Sequence, residues 1–228
     1  MTACHACLDF WLNFCETLLK YFNSAKASIS KTDFNKAIEY GKLQLKNLEK
    51  NNAAYALQLR ISFLSELRIP YRNSKRINEG FSFYTEKFRE YKSMNDSAGI
   101  ATCYYVLGGF YHAIGLMDQS IYNFKKSISF LDSSYYNNKD KFNLRNYLGR
   151  NQWINNTAVL GEFYLEALNY YESLKYSYIA FNELCKNGGP DLNINTTSYC
   201  AGNIAQAKLI LNQYDSLPYF LEIGRAHV

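Results

Sequence analysis

The residues best suited to chemistry are the few cysteines and histidines. Cys4-His5-Ala6-Cys7, with Cys15 beyond, sets two thiols and an imidazole at a spacing that suits a metal ion or a redox pair. A closed zinc site needs a second Cys/His pair. Of the three histidines the others are His112 and His227, far along the chain, so no metal ligand set is assigned. Cys103 and His112 have the residue types of a nucleophile and its base. On one helix, however, the nine residues between them rise about 13 Å, well beyond hydrogen-bond reach. Leu107-Gly108-Gly109-Phe110 lacks the lysine and the strand-to-helix setting of a phosphate loop. The expectation is a chain with no catalytic residue and no cofactor.

Charge offers one further candidate. Arg68, Arg72, Lys75 and Arg76, with Arg60 nearby, form a basic patch that suits a phosphate or an acidic peptide, opposed locally by Glu66 and Glu79. A helical repeat that binds RNA or a phosphorylated ligand is one reading of it. A dedicated nucleic-acid binder would repeat such residues along its length, whereas the later segments are rich in Tyr and Asn and the net charge is only +5, so nucleic acid is not the expected partner.

These residues must be carried by long helices. The 228 residues are 48% apolar and 17% aromatic, with 12 Gly and 3 Pro, too few turn formers for a sandwich or small barrel. Met1 to Cys15 has no basic leader and contains Asp9, which predicts a cytoplasmic protein, or a periplasmic one if the true start lies upstream. Six cysteines are too sparse for a disulfide scaffold and predict reduced thiols, mostly buried. Ser97 to Met117 contains no Asp, Glu, Lys or Arg, but its Gly, Tyr and His residues dilute its hydropathy, so no membrane span is expected. Ile223-Gly224-Arg225-Ala226-His227-Val228 back-translates as ATC GGA AGA GCA CAC GTC, which looks like a common sequencing adapter. Residues 223–228 are therefore expected to be a non-native tail on an N-terminal piece of a longer protein.

The clearest local pattern runs from Tyr104 to Ile128. Tyr104, Leu107, Gly108, Tyr111 and Gly115 share one helical face, and Ser120, Ile121, Phe124, Ser127, Ile128 and Leu131 share another. Asp118 serves as a cap beside Gly115-Leu116-Met117, so an antiparallel hairpin is expected, with Gly108 admitting a close neighbour. The second-helix signature recurs around Ala37, Gly80, Ala167 and Leu217. This pattern of Leu-Gly, Tyr, a turn Gly, then a small residue and an aromatic resembles the tetratricopeptide repeat, with units of roughly 40–50 residues in place of ~34.

The expected fold class is all-α. The hairpins fall at 8–50, 53–94, 98–132, 141–185 and 197–222, with Pro70 between helices and Asn187-Gly188-Gly189-Pro190-Asp191 as a turn. The resemblance implies a right-handed α-α superhelix, a solenoid whose first helices line a concave, peptide-binding face. Thr102, Tyr105, Gly109 and His112 lie opposite the packing stripe of the best-matched hairpin, and Asn151 and Asn155 follow on the next. The amides of the two asparagines suit an extended peptide backbone. The function it implies is a non-enzymatic scaffold or sensory module for a protein or peptide partner. An alternative is the input region of a signalling protein such as a sensor histidine kinase or a transcription regulator.

Overall fold

The computed structural model describes residues 31–49, 54–131, 144–186 and 194–225, and every regular element among them is a helix. The chain divides at Phe83/Tyr84 into two compact units, a boundary that falls inside one helix. In the first unit α1 (Lys31–Glu49) packs against α2 (Ala54–Glu66) and α3 (Arg68–Asn73), and Phe83 of α4 (Ile77–Ser93) meets Tyr71 of α3 with ring centres 6.0 Å apart. Phe34, Ile38 and Leu45 repeat at helical spacing on α1 and are buried with Phe63, Leu64, Leu67 and Tyr71. Lys42 spans this edge, its ammonium 5.1 Å from the Phe83 ring centre.

Pro70 lies within a helical segment, not between helices. The α2 helix pauses only at Leu67, whose amide still donates to the Phe63 carbonyl at 3.0 Å. Proline lacks an amide and crowds the carbonyl four residues earlier, so a fresh start at Arg68 lets it occupy the first turn of α3, where no internal bond is lost.

In the second unit the remainder of α4 precedes α5 (Ser97–Ala113), α6 (Met117–Leu131), α7 (Leu144–Glu166), α8 (Tyr170–Lys186), α9 (Ile194–Ile210) and α10 (Leu217–Arg225). From α5 onward each helix packs on the next, and α7 also packs on α9, the layering of stacked hairpins. Phe124, Leu160, Phe163 and Tyr164 form one buried cluster, flanked by Tyr105, Ile121, Ile128 and Tyr176. Two glycines set how close the helices come. A Cβ on Gly108 would lie 2.5 Å from the Phe124 ring, and one on Gly161 would strike Ser177. The anticipated close approach at Gly108 is therefore present, and the following hairpin repeats it.

The turns repeat more strictly than the helices. Lys75, Asn95, Gly115, Leu168 and Asn212 all have φ between 53° and 81°. In each turn the next amide bonds back five residues, to the carbonyls of Tyr71, Tyr91, Tyr111, Tyr164 and Lys208, at 2.8 to 2.9 Å. The left-handed residue itself donates to the carbonyl three before it, at 2.9 to 3.2 Å. This is the Schellman arrangement, which satisfies the last carbonyls of one helix and fixes the exit direction. The residue after the left-handed one can then cap the following helix: Asp96 Oδ1 accepts from the Gly99 amide at 3.1 Å, and Asn169 Oδ1 from the Glu172 amide at 3.3 Å. The α10 helix continues through Ile223, Gly224 and Arg225, while residues 226–228 and the early segment with Cys4, His5, Cys7 and Cys15 lie outside the described residues.

Two substitutions test this framework. Leu168 is 71% exposed and left-handed, so Leu168→Gly relieves backbone strain at little packing cost and is expected to stabilise the fold by up to about 1 kcal/mol. Gly108→Leu is expected to destabilise by about 1–3 kcal/mol or more, because Phe124 is fully buried and has nowhere to move. Thermal melts that showed both variants unchanged would contradict the account of turn and packing.

Candidate functional site

In the second unit the first helices of the hairpins, α5, α7 and α9, are joined sideways by polar side chains. Gln152 Nε2 donates to Thr102 Oγ1 at 3.0 Å, and His112 Nε2 bonds Glu166 Oε2 at 2.7 Å, both linking α5 to α7. Thr196 Oγ1 donates to Asn155 Oδ1 at 3.0 Å and the Tyr199 hydroxyl donates to Glu162 Oε2, both linking α7 to α9. Deeper in the stack, Asn156 Nδ2 donates to Ser127 Oγ, which donates to the Ala101 carbonyl, each at 2.7 Å. A methyl-for-hydroxyl exchange at Ser127 would strand the buried Asn156 amide.

The groove candidates take different places. His112 stacks on Phe163, ring centres 4.3 Å apart and planes 15° apart, and its side chain stays 36% exposed beside a 42% exposed Glu166. Tyr105 is half-buried, edge-on to Phe124 at 5.3 Å. Asn151 and Asn155 are also half-buried, Asn155 being tied to Thr196. Thr102, expected on an open face, is fully buried instead. Its hydroxyl donates to the Ala98 carbonyl at 2.8 Å and accepts from Gln152, so the seam between α5 and α7 consumes it.

The basic cluster of the first unit is dispersed in character. Arg76 grips Glu79 with two bonds of 2.6 and 2.7 Å and reaches Asn35 Oδ1 at 2.7 Å, which engages three of its five N–H donors. The Arg76–Glu79 pair pulls the Glu79 carboxyl below its ordinary range, chiefly through that bond. Arg72 and Lys75 are exposed, Lys75 at the tip of a turn, and Arg68 is half-buried.

Electrostatics concentrate around α7 and α9. Burial first, then the bond to Glu162 and the charges of Glu162 and Glu166, push the Tyr199 phenol far above its usual value, so it remains a donor. Burial likewise pushes the Cys200 thiol up to about 12. Cys103 is buried too, and Cys185 is exposed. Among the described residues no group of three or more His, Cys, Asp or Glu could hold a metal ion. Among them, too, no helix is long and apolar enough to cross a membrane.

No family model matches the chain, and no curated protein matches it. Solved structures do. A putative kinesin light chain of Podosopora anserina with nearly identical TPR-like repeats is 12% identical, with a TM-score of 0.54 over 92% of this chain and 94% of that one. A substituted form of the same protein is also 12% identical, with a TM-score of 0.55 over 92% of this chain and 93% of that one. The fold is a TPR-like helical repeat. In such a repeat the first helices share one side of the stack, and α5, α7 and α9 are those helices in this unit.

Sequence reasoning missed Gln152, Glu162, Glu166 and Tyr199. The signal was present: Asn151, Asn155, Glu162 and Glu166 are spaced by four, seven and four, one continuous helical face. Extending the stripe beyond the two asparagines reaches both carboxylates.

Thiol chemistry checks the burial pattern. Cys200 has a folded value raised above the ordinary thiol value of 9.0, so its contribution to stability is complete below that pH and is lost as pH rises toward about 12. Iodoacetamide at pH 9, followed by peptide mapping, is expected to label Cys185 and spare Cys200 until the chain unfolds. Equal labelling of the two in the folded protein would contradict the buried thiol.

Proposed function

We propose that the chain is a non-enzymatic protein-interaction module that binds an extended peptide or partner segment across α5, α7 and α9. The observation that carries this reading is the row of lateral hydrogen bonds, Thr102–Gln152, His112–Glu166, Asn155–Thr196 and Tyr199–Glu162. Side chains that brace one another between hairpins lose less freedom when a ligand arrives, which favours binding. Half-exposed Tyr105, His112, Asn151 and Asn155 supply aromatic area and amide groups of the kind that main chain recognises. Gly109, half-buried on α5 midway between Tyr105 and His112, places no side chain between them. The basic patch gives less support to a phosphate ligand, since Glu79 and Asn35 already take three of the Arg76 N–H donors.

The test is panning of a displayed library of linear peptides on the purified full chain, followed by titration of the retained sequences. Tyr105→Ala with His112→Ala is expected to weaken binding about tenfold or more while the cooperative melt is kept. Retained peptides that bind the double variant as well as the parent would place recognition elsewhere.

A further inference from the structure

Three turns of the second unit lie along one edge of the stack: those between α5 and α6, α7 and α8, and α9 and α10. The His112–Glu166 bond joins the first two just before α5 and α7 end. Asn155 bonds Thr196 and Glu162 bonds Tyr199, in the same order along both helices, which sets α9 parallel to α7 and brings the third turn to the same edge. Turn tips that face water favour Gly, Asn, Asp, Ser and Pro. These three instead expose Ile114 and Leu116 around Gly115, Leu168 and Tyr171 at the second turn, and Leu209 and Tyr214 around Asn212. Corresponding places in three successive hairpins are apolar, so the residues form a row and not a scatter.

Leu168 gives the row a reason beyond chance. Its φ of 59° is a conformation that suits Gly or Asn, yet at 71% exposure its side chain gains little packing within the chain. Tyr171, three residues on, is 70% exposed. Together the six residues expose about 700 Å², within the range that each side contributes to a stable protein interface.

Charge narrows the occupant. Over residues 112–118, 166–175 and 208–215 the charged residues are Asp118, Glu166, Glu172, Lys175, Lys208 and Asp215, with His112 among them. Lys175 pairs with Glu172 at 3.1 Å, Lys208 with Asp215 at 3.1 Å and His112 with Glu166 at 2.7 Å. Asp118 stands outside those pairs in the first turn of α6, where the helix dipole suits it. An edge so nearly balanced neither draws a strongly charged partner nor repels its own copy. A second copy also carries apolar tips at the same spacing.

We infer that the chain forms a twofold dimer along this edge, with two copies running antiparallel. Leu168 and Tyr171 then meet their own counterparts at the axis, while Ile114 and Leu116 of each copy meet Leu209 and Tyr214 of the other. The inference does not rest on the peptide-binding reading above.

The experiment is sedimentation equilibrium of the full chain at rising concentration up to about 100 μM, where a dimer is expected. Tyr171→Glu and Tyr171→Lys, at an exposed position, are each expected to weaken association about tenfold or more while the cooperative melt is kept. Because residue 171 faces itself across the axis, a one-to-one mixture of these two variants should associate again. Tyr122→Glu, at an exposed tyrosine of α6 away from the turns, should leave the dimer as it is. A parent that stays monomeric overturns the inference, and one that does so but floats with phosphatidylcholine vesicles assigns the edge to a membrane instead. Assemblies that keep growing with concentration, a dimer untouched by Tyr171→Glu, or a Glu/Lys mixture that stays monomeric overturn it as well.

Discussion

The left-handed turn residue, closed by a bond from the next amide to the carbonyl five positions back, is the constraint on which the rest depends. Each turn satisfies the carbonyls of the helix it ends and sends the chain back at a fixed angle, so that the following helix lies against its predecessor. Four of the five carbonyls that accept this bond belong to tyrosines, and Tyr71, Tyr91 and Tyr164 are buried. The same residue thus closes the turn with its backbone and fills the adjoining core with its ring. In four of these five turns the left-handed residue is not glycine, so the framework tolerates local strain that packing offsets.

Packing follows from that geometry. Gly108 and Gly161 occupy corresponding places in consecutive hairpins and admit Phe124 and Ser177. Because the helices approach closely there, Phe124 can touch Tyr105 and Phe163 together, and Phe163 can carry His112 on its face. The hydrophobic cluster therefore reaches the surface at His112, and the polar row begins where it ends. Core and candidate site are two sides of one contact between α5 and α7.

Much of this was legible in the residues. The stripe from Ser120 to Leu131 predicted the buried face of α6, and the Gly108 approach and Gly115 turn are where the spacing put them. Pro70 misled because proline is compatible with a first helical turn as well as with a loop, and a one-residue pause at Leu67 suffices to accommodate it. Thr102 misled because a helix in a stack has two covered sides, and the pattern of one hairpin reveals only the side that faces its own partner helix.

The sequence by itself determined the helical class and the periodicity that sets Tyr105 with His112, and Asn151 with Asn155, on one side of their helices, since periodicity is a local property of the chain. Only tertiary structure decided which side chains bond across hairpins: His112 to Glu166, Asn155 to Thr196, Tyr199 to Glu162. Those partners are 37 to 54 residues apart, and their meeting depends on the register between hairpins, which is set by turn geometry and close packing together and by no single segment.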